Sequence, residues 1–314
     1  MSLLGRRGYS IIELLIALVL LSMVSAAIYK VLVNNQRLYL AQTQTIDLNQ
    51  NMRAAVTVLP AEFRELDAAD GDIQAMTATS ITIRAMRLLG FVCLTPPLGG
   101  GIGQLTLTIR STPMYGNRQT FAQNDSLLVY WEGNPLTRSD DQWLPAQVKT
   151  VVTGPVCNQD TLGVANQGFA LTMQPQWINN GGLNVANAIT RGAPVRGFDN
   201  VTYAVYQSGT DNNWYLGQQN NTQGGGMQPV IGPLIGATGV TFSYYDSAGV
   251  VTAVPTQVAQ IGIVLRARTA SPIRDASGVQ AFKVDSVLTR VALRNNPRCG
   301  SGGTAPIVVF RPCQ

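Results

Sequence analysis

The chain has no histidine at all. Imidazole bases and the commonest transition-metal ligand are therefore absent, and nucleophile triads built on Ser-His or Cys-His are excluded. Charge is also scarce, at 12% of 314 residues, and no compact Lys/Arg run follows Arg6-Arg7. The 22 basic and 17 acidic residues give +5, of which Arg6 and Arg7 supply two. So small and scattered an excess argues against a nucleic-acid partner. The four cysteines include no CxxC pair, which argues against a structural zinc site. Gly99-Gly100-Gly101-Ile102-Gly103 lacks the Gly-Lys-Ser/Thr of a phosphate loop. Asp140-Asp141 with Glu132 lack the ligand spacing of a calcium loop and read as a solvated turn. No cofactor, no metal and no catalytic residue is expected. Low charge with 31 glycines and 16 prolines favours a body of strands and loops.

What the chain does have is concentrated at its start, Gly5-Arg6-Arg7-Gly8-Tyr9-Ser10-Ile11-Ile12-Glu13-Leu14-Leu15. A basic leader precedes a glycine and an aromatic residue, and one carboxylate breaks the apolar run behind them. A charged side chain costs about 2.5–3.5 kcal/mol at the centre of a membrane helix, and less near its end. Residues 14–28 are apolar except for two serines, and with their flanks they reach spanning length. Arg6 and Arg7 against Lys30 beyond the span put the N-terminus in the cytoplasm. A plain anchor leaves Glu13 without a purpose. An ordinary secretory signal would be cut after the apolar run, near Ala26-Ala27, and would carry no carboxylate at its entry.

The segment resembles the class III signal of type IV prepilins and pseudopilins, which is Gly, then Phe or Tyr, with Glu as the fifth residue after the cut. On that resemblance a prepilin peptidase cuts between Gly8 and Tyr9, the new Tyr9 amine is methylated, and Glu13 supplies the assembly carboxylate. The resemblance implies a pilin-like α+β fold, a long N-terminal helix packed on an antiparallel β-rich domain.

Past the span, Leu38, Ala41, Thr45, Leu48, Met52, Ala55, Leu59, Phe63 and Leu66 recur three and four apart, the signature of one helical face. One helix over about 10–66 is predicted, with Pro60 kinking it or ending its regular hydrogen bonding. This divides the chain into a leader (1–8), a membrane or filament-core helix (9–33), its amphipathic continuation (34–67) and an exported β-rich domain (68–314). Period-two, β-branched segments predict strands at 80–87, 104–110, 126–131, 148–153, 168–173, 201–206, 240–245, 260–268 and 283–293. Residues 179–194 and 217–226 read as long loops, and Asp246-Ser247-Ala248-Gly249 as a hairpin turn. Trp131, Trp143, Trp177 and Trp214 read as core aromatics on strands rather than a stacking surface.

Four cysteines in an exported body suggest two disulfides, with three connectivities open. Closing the Gly/Pro-containing tail between Cys299 and Cys313 would contribute roughly 3 kcal/mol. That favours Cys299–Cys313 together with Cys93–Cys157.

A looser resemblance covers the C-terminal half. Val201-Thr202-Tyr203, Trp214-Tyr215-Leu216, Gly239-Val240-Thr241-Phe242-Ser243-Tyr244 and the ending Leu293-Arg294-Asn295 are similar to PilW-type minor pilins, related to J-type minor pseudopilins. Gly217 stands where those proteins usually have arginine, Phe242 sits one place early, and residues 90–194 have no match. The resemblance implies a structural subunit of a type IV pilus, in a tip or priming complex. Its partners would be prepilin peptidase, the inner-membrane assembly platform, and major and minor pilins met through the N-terminal helix. The precursor would sit in the inner membrane with a periplasmic body, and the mature subunit in the pilus at the cell surface. The rivals are a minor pseudopilin of type II secretion, a filament-tip adhesion or DNA-binding module, and a membrane-anchored periplasmic enzyme.

Overall fold

A computed structural model describes residues 10–96, 106–132, 136, 142–158, 166–173, 189–274 and 279–294. It opens with one long helix, α1 (Ile11–Arg64), whose sheet-facing residues are Leu48, Met52, Ala55, Leu59 and Phe63. These lie three and four apart, so one stripe docks while the other faces stay wet. Leu38 is exposed and Ala41 and Thr45 are half-buried, so the body covers the expected stripe fully only from Leu48. The helix runs through Pro60 and ends one turn later at Arg64, where the missing proline N–H has already removed one bond of the last turns. The Arg294 N–H donates to the Arg64 carbonyl at 2.7 Å, satisfying a terminal group that the helix cannot.

The strands are β1 (Ile73–Met76), β2 (Ser80–Leu94), β3 (Thr106–Arg110), β4 (Tyr115–Gly116), β5 (Ser126–Trp131), β6 (Gln142–Cys157), β7 (Asn166–Met173) and β8 (Pro194–Gln207). There follow β9 (Trp214–Asn220), β10 (Gln228–Leu234), β11 (Val240–Tyr245), β12 (Gln260–Arg268), β13 (Ile273–Arg274), β14 (Gln280–Ala281) and β15 (Val284–Ala292). The pairings are antiparallel, in the order β1-β2-β3-β7-β6-β5-β8-β9-β10-β12-β11, with β15 on β12 and β13-β14 a separate hairpin.

Two lobes share this sheet. In the first, α1 packs on β1, the start of β2, the end of β8, and β9 to β12 with β15, around Leu59, Phe63, Ile81, Tyr203, Phe242 and Ile263. In the second, β2 pairs β3, then β7, β6, β5 and β8 follow in turn, and β8 pairs back onto β2. This ring closes around Leu88, Ile109, Leu127, Trp131, Leu144 and Leu171. Both β2 and β8 begin or end in the helix-backed lobe and continue into the ring. Cys93, at the ring end of β2, is disulfide-bonded to Cys157, at the end of β6, with Cα atoms 5.6 Å apart.

Several predicted boundaries need correction. The loop expected at 217–226 begins inside β9. Gly217 is there because a Cβ would lie 2.5 Å from Met227 Cγ and 2.6 Å from Tyr206 Cε1, so it marks close cross-strand packing rather than a loop. Strand β10 was hidden by Pro229 and Pro233, which the register shifts on either side of Ile231 accommodate. Strand β6 extends well beyond 148–153, because bulges absorb the irregular positions between Val148 and Thr150 and between Gly154 and Cys157. Residues 179–188, most of the other predicted loop, lie outside the described residues, and its last residue Pro194 already pairs Phe91.

Candidate assembly site on the N-terminal helix

Ser10 caps α1: its backbone is extended (φ −74, ψ 143) and its Oγ accepts from the Ile12 N–H at 3.4 Å. Glu13 follows three residues later in the first turn, so the sequence reads Ser-x-x-Glu. That is a capping-box pattern, in which the glutamate would reach back to the cap N–H. The structure makes neither bond of the box, since Ser10 Oγ takes the Ile12 N–H and not that of Glu13, and among the described residues the Glu13 side chain has neither a hydrogen bond nor an ion pair. The nearest basic residue along the described helix is Lys30, about 25 Å away at 1.5 Å per residue. The carboxylate therefore draws only on the helix dipole, worth about 0.3–1 kcal/mol, and is left for a partner outside its own helix.

Around it the helix is bare. Leu14, Leu18, Leu21 and Ile28 are each more than half exposed, as are the other large apolar residues from Ile11 to Leu32. Each would gain roughly 1.5–3 kcal/mol on leaving water, a sum no isolated body could forgo. The helix is long and apolar enough to cross a membrane, and none of its apolar window is buried by the body.

Gly8 and Tyr9, expected at the cut, and Cys299 and Cys313, the second expected disulfide, lie outside the described residues. So do Asp140, Asp141, Trp177 and the 99–103 glycine run. Among the described residues no group of three His, Cys, Asp or Glu could hold a metal ion. Trp131 is buried in the ring core. Trp143 stacks edge-on against Tyr130 at 5.5 Å and lies under the Arg196 guanidinium at 5.3 Å. Trp214 packs against the helix-backed core.

The charged side chains that sequence reasoning missed sit at the far end of α1, where the two lobes meet. Arg87 reaches Glu62 on the helix at 2.9 Å and Asp199 on β8 at 3.5 Å. Arg196 pairs with the fully buried Asp72 at 2.9 Å, and Asp72 Oδ2 also accepts from the Asp67 N–H at 2.9 Å. Burial, with Asp72 close by, pushes the carboxyls of Asp67 and Asp70 above the usual aspartate range. Each arginine here finds its carboxylates on the neighbouring element, which reads as a joint holding helix to sheet and lobe to lobe. Single-residue patterns carry no signal for such pairs, because their partners lie 25 to 124 residues apart in the chain.

Residues 4–29 match the family model described as a prokaryotic N-terminal methylation motif. No curated protein and no solved structure matches the chain. The motif, the bare apolar helix and the β-rich body behind it support a type IV pilin- or pseudopilin-like protein. The motif implies processing by prepilin peptidase and assembly with pilins. The helix is consistent with membrane anchoring.

Proposed function

We propose that this chain is a minor pilin, a structural subunit rather than an enzyme, placed in the tip or priming complex of a type IV pilus. The observation that carries the reading is the pairing of an uncovered N-terminal helix with a second, closed ring lobe at the helix's far end. Assembly contacts run along the helix: Ile11 to Val33 would leave lipid for helix neighbours, and small gains in packing replace lipid contacts. Cleavage at Gly8 frees the Tyr9 amine, one helical turn from Glu13. An unpaired charge costs several kcal/mol in a low-dielectric filament core, so a neighbour's amine meeting Glu13 sets the axial register.

The ring lobe has no part in that chemistry. It adds bulk beyond Arg64, on the side away from the membrane. Such bulk is hard to repeat along a tightly packed shaft and easy to accommodate once, at an end. Gene deletion with immunolabelling tests this. Loss of the gene should cut the number of pili sharply without altering the symmetry of those that form, and label should mark one or few copies at filament ends. Uniform labelling along the shaft would make it a major or interspersed subunit. Defective protein secretion with normal piliation would assign it to a type II secretion system.

A further inference from the structure

From Ile11 to Val33, apolar but for two serines and, near its two ends, Glu13 and Lys30, α1 rises about 33 Å, enough for a hydrocarbon core of roughly 30 Å with the Lys30 ammonium reaching up to the interface. Arg37 lies one turn further, about 6 Å on, at the depth of the lipid headgroups. Tyr29 and Tyr39, 70% and 69% exposed, bracket this level, where amphipathic rings settle in membranes. The body comes down to the same level through the β13-β14 hairpin. Gln44 Oε1 accepts from the backbone N–H groups of Ala270 and Ser271 at 3.1 and 3.3 Å, pinning the strap to α1 just before β13. A groove of about 670 Å³ results, with Arg37 on the helix and Arg274 on the hairpin, and with Leu38, Leu40 and Ile273 as apolar lining. Both arginines are exposed, and neither has a carboxylate partner among the described residues.

We infer that this groove binds the headgroup phosphate of an anionic phospholipid in the leaflet on the body's side of the membrane. Two guanidiniums suit a phosphate, which each can grip through paired N–H donors. The apolar lining suits the glycerol and first methylenes below it. A lipid held there would clamp the body against the membrane surface and is surrendered when the helix leaves the bilayer. The inference rests on residues 11–33 spanning a membrane, and not on which filament the chain joins.

The test uses the full chain in nanodiscs of equimolar phosphatidylglycerol and phosphatidylcholine, with retained lipid counted by native mass spectrometry after release. The wild type should keep phosphatidylglycerol over phosphatidylcholine. Each of Arg37→Gln and Arg274→Gln should lower that preference about fivefold, and the double variant about thirtyfold. Both sites are exposed, so an unchanged thermal melt should accompany the loss. Equal retention of the two lipids by the wild type, or an unchanged preference in the double variant, overturns the inference. Displacement of the lipid by millimolar inorganic phosphate alone overturns the lipid assignment and leaves a simple anion site.

Discussion

Breaking the Cys93–Cys157 bond offers the sharpest test of the two-lobe structure. The cysteines are 64 residues apart in sequence. In the chain-entropy account a loop of that length restricts the unfolded chain enough to stabilise the fold by about 4 kcal/mol. Against a total of roughly 5–15 kcal/mol for a typical domain, the variant should still fold while losing much of its margin. The residues inside the loop build half of the buried ring core, including Leu107, Ile109, Leu127, Val129 and Leu144, and none of the helix-backed core, so the loss should fall on the ring first. Cys93→Ala and Cys157→Ala each abolish the whole bond, and the double variant can abolish it only once. All three should therefore cost about the same, near 4 kcal/mol, with small additions for the buried volume removed. Urea unfolding of the full chain in detergent, followed by tryptophan fluorescence, reads this directly, because Trp131 reports on the ring and Trp214 on the helix-backed lobe. Single variants whose costs add up in the double would refute the reasoning, and so would a loss below about 1 kcal/mol.

A bulky residue in place of Gly8 should leave the leader attached, and mass spectrometry of wild-type protein should find a methylated Tyr9 at the N-terminus; an N-terminus at Ala26 or Ala27 would point to an ordinary secretory signal. Glu13→Gln keeps the shape of the side chain but not its charge, so the protein should be processed normally yet fail to enter filaments, as sheared-pilus immunoblots would show; wild-type incorporation would remove the ion pair from the account. The raised carboxyls of Asp67 and Asp70 bind protons more tightly folded than unfolded, so their contribution is most favourable below the ordinary aspartate pKa and declines as pH rises through the raised folded values. Asp70→Asn should therefore gain stability relative to wild type as pH rises from about 3.5 to 6 in paired urea titrations, and a constant difference across that range would contradict it.

How much of this was legible in the sequence depended on how local the cause was. The three-four spacing of Leu48 to Phe63 and the alternation in 126–131, 240–245 and 260–268 are local, and those elements fell where predicted. Strands β9 and β10 were obscured because Gly217, Pro229 and Pro233 carry loop signals that cross-strand packing overrides. Glu13 stood out because a lone carboxylate in an apolar run has no local reason to exist. Its Ser-x-x-Glu context is the pattern of a capping box, but the structure leaves that box unmade. Arg37 and Arg274 were invisible as a pair because only the Gln44 strap brings the hairpin beside the helix.

The segment 90–194, which resembled nothing, coincides with the ring. That coincidence has a structural cause. Strands β2 and β8 pair from Ser80↔Ala204 to Phe91↔Pro194, with one register shift between Met86 and Leu88, so everything between them in sequence leaves and returns through adjacent strand ends. A pair of antiparallel strands can carry an insertion at its open end without altering the register behind it, because the hydrogen bonds nearer the helix do not depend on what joins the far end. The ring then needs its own closure, which β3 to β7, the return of β8 to β2 and the disulfide supply. The helix-backed lobe is thus left to meet the constraints of membrane and filament, which act on α1 and the sheet beneath it. The ring lies beyond the end of the helix, where it carries none of the contacts that α1 makes with the sheet beneath it.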